Sequence, residues 1–354
     1  MNGNREYNEE NKFGDKMNKS YNIGIVGVTG AVGQELLKQL AVRQFPVAKL
    51  RPLASQRSAG QTITWQGQEY TVGLTDDSAF AGLDIVLFAG GAASKQYALA
   101  AVNAGAIVID NSSSFRYDPD VPLITPEVNP QDILWHKGLI ANPNCSTIQL
   151  VVALKPLHDA AKIMRLNVAT YQAVSGAGVE GIKELAEQSA AIAANKPIAP
   201  PACFPHQIGF NLIPHIDSFQ DNDYTKEEMK IVWETHKMLH DNSIRISATA
   251  VRVPVFRSHS EAVAVEFAKS ISPQEARNIL QQAPGIKLLD EPKHSIYPMP
   301  YPLCDTDEVY VGRIRQDIAC DNGLLLWVVA DQLRKGAATN AVQIAELLIT
   351  YGLI

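Results

Sequence analysis

A chain of 354 residues that is 46% hydrophobic holds enough apolar material for about two globular domains, which excludes a fibre or a disordered protein. Lys and Arg total 31 against 37 Asp and Glu, with no long basic run, so nucleic acid and anionic membranes are poor partners and a small molecule is the better expectation. No run approaches the roughly 18 apolar residues of a membrane span. Cys145, Cys203, Cys304 and Cys320 lie too far apart for a zinc site or a disulfide framework, so we expect no metal and a reducing, cytoplasmic setting.

Residues 1–20 are polar and lack the apolar stretch of a secretion signal; they read as a flexible tail, with Met17 a candidate alternative start. Tyr21 to Val26 then predicts a strand, Gly27-Val28-Thr29-Gly30-Ala31-Val32-Gly33 a glycine-rich turn, and Gln34 to Leu40 a helix. Such a turn lets the backbone approach a pyrophosphate resting on the helix N-terminus, although the pattern alone also fits an ordinary strand-to-helix turn. Val47 to Leu53 predicts a second strand. Where an NAD site places an acid about twenty residues past the glycines, this chain has Ser55-Gln56-Arg57-Ser58. An arginine between hydroxyls suits a 2'-phosphate and hence NADP; a solvated surface arginine is the alternative.

Asp84 to Ala89 is a near-continuous apolar run, followed by Gly90-Gly91, a helix through Ala104 and a strand at Ala106 to Asp110. Strands alternating with helices predict a doubly wound parallel sheet with ligands at the carboxyl ends of its strands. Asn111 to Arg116 lies at such an end, as an anion site or as a turn with a surface arginine.

Asn142-Pro143-Asn144-Cys145-Ser146-Thr147 separates an apolar run ending at Ile140 from Ile148 to Leu154, which puts Cys145 at the start of a buried helix. The helix dipole contributes about 0.3 to 1 kcal/mol, less than one unit on a thiol near 8.5, so a nucleophilic Cys145 needs a basic partner as well. Without one it reads as a small buried hydrophobe. Free N–H groups at the same helix start are suited to an oxyanion.

Leu166 to Val174 alternates as a half-buried strand; Ser175-Gly176-Ala177-Gly178 turns into a helix from Val179 to Ala194, and Pro197 to Pro205 is a loop. Thr225 to Asp241 predicts a helix with Met229, Val232, Trp233, His236 and His240 on one stripe and Glu227, Lys230 and Glu234 on another, the second reading as a solvated, salt-bridged face. Ser247 to Pro254 is a strand, and Arg257 to Glu261 its exit loop, which makes His259 a base candidate ahead of a strand at Ala262 to Phe267. Pro292 to Pro302 is irregular. Val309 to Arg315 and Gly323 to Ala330 read as strands of one antiparallel sheet, and Ala337 to Tyr351 as a final amphipathic helix.

Taken together, the Gly27 to Gly33 loop, Ser114-Phe115-Arg116, Asn142 to Cys145, Tyr171 to Gly178, Arg252-Val253-Pro254 with His259, and Asp321 to Asn340 resemble aspartate-semialdehyde dehydrogenase from about Tyr21 to Ile354. The resemblance implies a Rossmann-type doubly wound NADP-binding domain, 21–144 with 338–354, and an α+β catalytic and dimerisation domain with a mixed sheet, 145–337. It implies NADPH-dependent reductive dephosphorylation of aspartyl phosphate to aspartate semialdehyde through a Cys145 thioester, in a homodimer or homotetramer. By the same resemblance His259 is the acid/base and Gln172 orients the acyl group. Arg252 meets the substrate carboxylate and Glu227, or its neighbour Glu228, the ammonium, while Arg116, Asn144 and Lys230 meet the phosphate. Gly27, Thr29, Gly30, Ala31, Val32 and Gly33 cradle NADP, Ser55, Arg57 and Ser58 take its 2'-phosphate, and Ser175, Gly176 and Asn340 lie near the nicotinamide. The resemblance also reaches N-acetyl-gamma-glutamyl-phosphate reductase, whose cysteine follows Asn-Pro-Gly where this chain has Asn-Pro-Asn. A non-catalytic dimeric relative or a nucleotide sensor would leave Cys145, Gln172, Arg252 and His259 without a role.

Overall fold

The computed structural model describes residues 19–354, so the expected tail lies almost wholly outside the described residues. β1 (Tyr21–Val26) is sandwiched between two parallel neighbours, which is why its sequence is apolar without alternation. The glycine turn and α1 (Ala31–Val42) follow, then β2 (Val47–Ala54), a hairpin of β3 (Thr62–Trp65) and β4 (Gln68–Thr71), and the short β5 (Gly73–Leu74). β6 (Ile85–Phe88), α2 (Ala92–Asn103), β7 (Ile107–Asp110) and β8 (Leu139–Ala141) complete a wholly parallel sheet in the order β5-β2-β1-β6-β7-β8. The winding direction reverses between β1 and β6, and there the strand ends open a crevice.

α3 (Cys145–Ala161) carries the chain into a second sheet. Its elements are β9 (Ile163–Gln172), α4 (Val179–Ala193), α5 (Lys226–Leu239), β10 (Arg245–Arg252), β11 (His259–Phe267), α6 (Pro273–Gln282), β12 (Ile286–Leu288), β13 (Val309–Gln316) and β14 (Gly323–Ala330). The order β10-β9-β11-β14-β13-β12 is mixed: β9 with β10 and β12 with β13 run parallel, the remaining neighbours antiparallel. Leu166, Val168, Val263 and Val328 face the helices and join one core with Ile148, Val151 and Leu154 of α3. Along the same strands Asn167, Tyr171, Ala262, Ala264 and Trp327 alternate to the other face and keep solvent exposure, with the Tyr171 and Trp327 rings 5.4 Å apart.

A π-helical turn, Arg334–Ala338, leads into α7 (Thr339–Tyr351), which returns to the first sheet. Ala341, Val342, Ile344 and Leu348 bury against Ile23, Ile25, Leu36 and Ile109, and Arg43, the residue that caps the end of α1, grips Glu346 with two hydrogen bonds of 2.7 and 2.6 Å. The structure corrects one expectation that matters for the site: His259 is the first residue of β11 and fully buried, where the flanking serines had suggested an exit loop.

Candidate active site

The crevice is a cavity of about 820 Å³ lined by Gly27, Thr29, Gly30, Ala31 and Val32, by Ser55, Arg57 and Ser58, and across it by Ser175 and Gly176. Gly27 sits at φ +81°, and a Cβ on Gly33 would lie 2.3 Å from the Gly27 carbonyl oxygen, so turn and helix pack backbone to backbone and leave the loop open toward a ligand. The end of β2 carries no carboxylate between Ala54 and Ala59, the donor set that suits a ribose bearing a phosphate. The geometry therefore fits a dinucleotide with its pyrophosphate at the α1 N-terminus.

A smaller cavity of about 180 Å³ continues from it, sharing Val32, Ala89, Ser175, Gly176 and Leu333 and reaching Arg116, Asn144 and Cys145. Cys145 is the first residue of α3, whose N-cap is Asn144: its Oδ1 accepts from the backbone N–H groups of Ser146 and Thr147 at 3.1 and 3.2 Å. The Cys145 Sγ lies 3.4 Å from His259 Nε2. The Ala173 backbone N–H donates to His259 Nδ1 at 3.1 Å, so the neutral ring carries its proton on Nε2, facing the sulfur. Burial and the nearby Arg252 drive His259 down to about 3, while burial and the Glu227 carboxylate push Cys145 up to about 12, against Arg116, Arg252 and Lys230. Without ligands the pair rests as thiol and neutral imidazole, and the helix-start position does not ionise the thiol.

The polar stripe of α5 reverses its sequence reading. Glu227, Lys230 and Glu234 are buried and Trp233, from the apolar stripe, is 39% exposed, so the charged face turns inward onto the cysteine loop. Glu227 Oε1 accepts from Asn144 Nδ2 at 2.9 Å and Gln172 Nε2 at 3.2 Å, and Oε2 from Lys230 Nζ at 2.8 Å. Burial alone would raise Glu227, but Lys230, Asn144 and Arg252 hold it at about 2; burial would lower Lys230, but Glu227 and Asp217 hold it at about 12. Glu228 points elsewhere, closing the Thr225 capping box and accepting from Ala250 N–H at 2.9 Å. Glu234 takes Arg116 Nη1 at 3.0 Å and the Asn144 backbone N–H at 2.6 Å. One turn on, Lys237 Nζ donates to the carbonyls of Arg116, Asp118 and Val121. Arg252 is buried beside them with no carboxylate partner among the described residues; its Nη1 donates to the Ala173 carbonyl at 2.7 Å and its guanidinium stands 5.8 Å from the Phe204 ring centre.

Gly33, Gln172, Glu227, Lys230, Arg252, His259 and Asn340 do not line either cavity; all but Asn340 make the contacts with the glycine loop or around the cysteine described above. Asn340 is fully buried, its Nδ2 donating to Ile124 O and Asn142 Oδ1 and its Oδ1 accepting from Lys335, so it braces the cysteine loop from behind instead of meeting the nicotinamide. The sequence reading missed Glu234 and Lys237 as partners of the site, Lys335 with its 2.5 Å contact to Glu127, and Gly336, where a Cβ would stand 3.0 Å from Cys145 Cβ. The signal for Glu234 and Lys237 was the i, i+3, i+7, i+10 spacing of charges on α5, which the solvated-face reading discarded; Lys335 and Gly336 left none.

Two family models cover most of the chain, "Semialdehyde dehydrogenase, NAD binding domain" over residues 22–136 and "Semialdehyde dehydrogenase, dimerisation domain" over 154–335. The aspartate-semialdehyde dehydrogenase of Aquifex aeolicus is 54% identical over 338 residues, 94% of this chain and 99% of its own. The crystal structure of aspartate semialdehyde dehydrogenase II from Vibrio cholerae, complexed with ASA, superposes with a TM-score of 0.90 at 50% identity over 94% of this chain and 99% of that one. The Candida albicans enzyme solved with NADP gives a TM-score of 0.73 at 28% identity, covering 95% and 100%. A dinucleotide crevice that opens onto a half-buried cysteine beside a buried histidine, in a chain matched over 94% of its length at this identity, places the protein in the aspartate-semialdehyde dehydrogenase family.

Proposed function

We propose that this chain is an NADP-dependent aspartate-semialdehyde dehydrogenase that reduces L-aspartyl 4-phosphate to L-aspartate 4-semialdehyde and phosphate. The observation that carries the proposal is the 3.4 Å approach of Cys145 Sγ, on the wall of the smaller cavity, to His259 Nε2. Cys145 attacks the acyl carbon and phosphate leaves carrying the thiol proton, forming a thioester at the helix start, where the Cys145 backbone N–H, ahead of the two that Asn144 caps, can hold the transient oxyanion. His259 is the acid/base partner; with Nδ1 held by the Ala173 amide, its Nε2–H faces the sulfur and returns a proton to it as the aldehyde leaves. Gln172, tethered to Glu227, orients the acyl group. Arg252, the buried guanidinium without a carboxylate, meets the substrate carboxylate. Glu227 receives the ammonium, and Arg116, Asn144 and Lys230 surround the phosphate. NADPH, when bound along Gly27–Gly33, Ser55, Arg57 and Ser58, supplies the hydride that reduces the thioester.

We assign 21–144 with 338–354 to the cofactor domain and 145–337 to the catalytic domain. The half-exposed sheet face with Tyr171 and Trp327 is the surface through which a homodimer forms. Among the described residues no helix is long and apolar enough to cross a membrane, in keeping with a cytoplasmic enzyme. The test is NADP reduction on adding aspartate semialdehyde, with and without inorganic phosphate. Phosphate-dependent reduction that disappears in Cys145→Ala is expected; turnover of N-acetylglutamate semialdehyde in its place would reassign the substrate.

A further inference from the structure

We infer that Glu234 is a positioning residue that keeps the phosphate subsite weak, by cancelling the Arg116 charge while locking that arginine to the cysteine loop. The inference rests on the reading above in which Arg116 meets the phosphate. Glu234 has no exposed surface, and its two oxygens accept from two different parts of the site: Arg116 Nη1 and the backbone N–H of Asn144, one residue before Cys145. One carboxylate therefore sets the distance between the guanidinium and the nucleophile's loop. Arg116 Nη2 is spent on the Asn111 carbonyl at 2.8 Å, whereas its buried Nε has no partner among the described residues.

The charge count separates the subsites. Each cation assigned to the phosphate is paired with acid, Arg116 with Glu234 and Lys230 with Glu227 and Asp217, while Arg252 has none among the described residues. A phosphate entering between Arg116 and Lys230 meets two cations whose charge three carboxylates already more than offset. It is held by hydrogen-bond geometry more than by net attraction, and as a leaving group it departs readily. A bare Arg116 would bind the same dianion more tightly and release it more slowly.

Three variants, E234Q, R116Q and R116Q/E234Q, test this through phosphate binding measured without turnover. The readout is the concentration of inorganic phosphate that half-protects Cys145 from alkylation in the absence of cofactor, set beside KM for phosphate and for semialdehyde in the oxidative direction. We expect E234Q to lower the half-protecting phosphate concentration and its KM about a hundredfold, the size of one charge removed about 6 Å from a single phosphate charge in a medium of effective dielectric about 20, with KM for semialdehyde little changed. A purely structural role predicts the reverse, with phosphate and semialdehyde both bound more weakly; that result, or no change in phosphate binding, overturns the inference. Should E234Q fail to fold, the double variant, which leaves no buried charge unpaired, must bind phosphate more tightly than R116Q; equal or weaker binding overturns it too. If R116Q itself leaves phosphate protection unchanged, the assignment of Arg116 fails, a result distinct from a failure at Glu234.

Discussion

The resting state of Cys145 is the most exposed consequence of this geometry. Burial and Glu227 lift the thiol from an ordinary 9.0 to about 12, so at any pH below 9 the free enzyme carries about a thousandfold less thiolate at this position than an unperturbed cysteine would. His259 does not rescue it, because its Nδ1 accepts from the Ala173 amide and an imidazolium would set two N–H groups against each other. This is the opposite polarity from a triad, in which an acceptor on the second nitrogen stabilises the charged ring. The measurement is the rate of iodoacetamide modification of the Cys145 peptide between pH 5 and 10, followed by mass spectrometry because Cys203 is exposed and reacts independently. The expected rate is low at pH 7, climbs about tenfold per pH unit through pH 9 and shows no neutral plateau. A plateau established by pH 6 would mean a thiolate–imidazolium pair already exists without ligands and would refute the electrostatic argument.

Replacing Gly33 with alanine drives a Cβ to 2.3 Å from the Gly27 carbonyl and 2.6 Å from Val28 Cα, backbone atoms that cannot rotate aside. We expect Gly33→Ala to lose about 1 to 3 kcal/mol of stability and the NADP-induced rise in Tm; a wild-type NADP shift in thermal melts would contradict it. Glu227, held at about 2 against an ordinary 4.5, contributes stability that is fully present above pH 4.5 and is lost as pH falls through about 2. The gap between wild type and Glu227→Gln in urea unfolding is therefore expected to reach about 3 kcal/mol at pH 6 and to be narrower at pH 3. A gap that does not change between those two pH values removes the basis for the shift.

The first sheet was legible because strands buried on both faces write apolar runs and the glycine loop must be tight whatever follows it. The α5 stripe was misread for a physical reason: Glu and Lys at i, i+3 and i+7 look identical whether water or a buried loop receives them, and only the distant partners Asn144 and Gln172 decide. His259 was misplaced because Ser258 and Ser260 carry turn chemistry that pairing with β9 and β14 overrides. The unforeseen α6 did leave a local signal, Ser272-Pro273-Gln274-Glu275, a capping box with proline at the first turn. Asn340 was assigned a place by likeness alone, and nothing in its neighbours' sequence says that Lys335, Ile124 and Asn142 absorb its amide.

The return of α7 to the first sheet imposes an order on biosynthesis. Ile23 and Ile25 are made at the start of the chain, but Val342 and Ile344, which cover them, come only at its end. At roughly 5 to 20 residues per second, the segment 145–337 keeps the two halves of that contact apart for about 10 to 40 s on the ribosome. For that interval the nascent nucleotide-binding half presents an uncovered apolar face, and a transcript truncated before Thr339 would leave it uncovered permanently, a substrate for chaperones and proteases whatever the state of the catalytic residues.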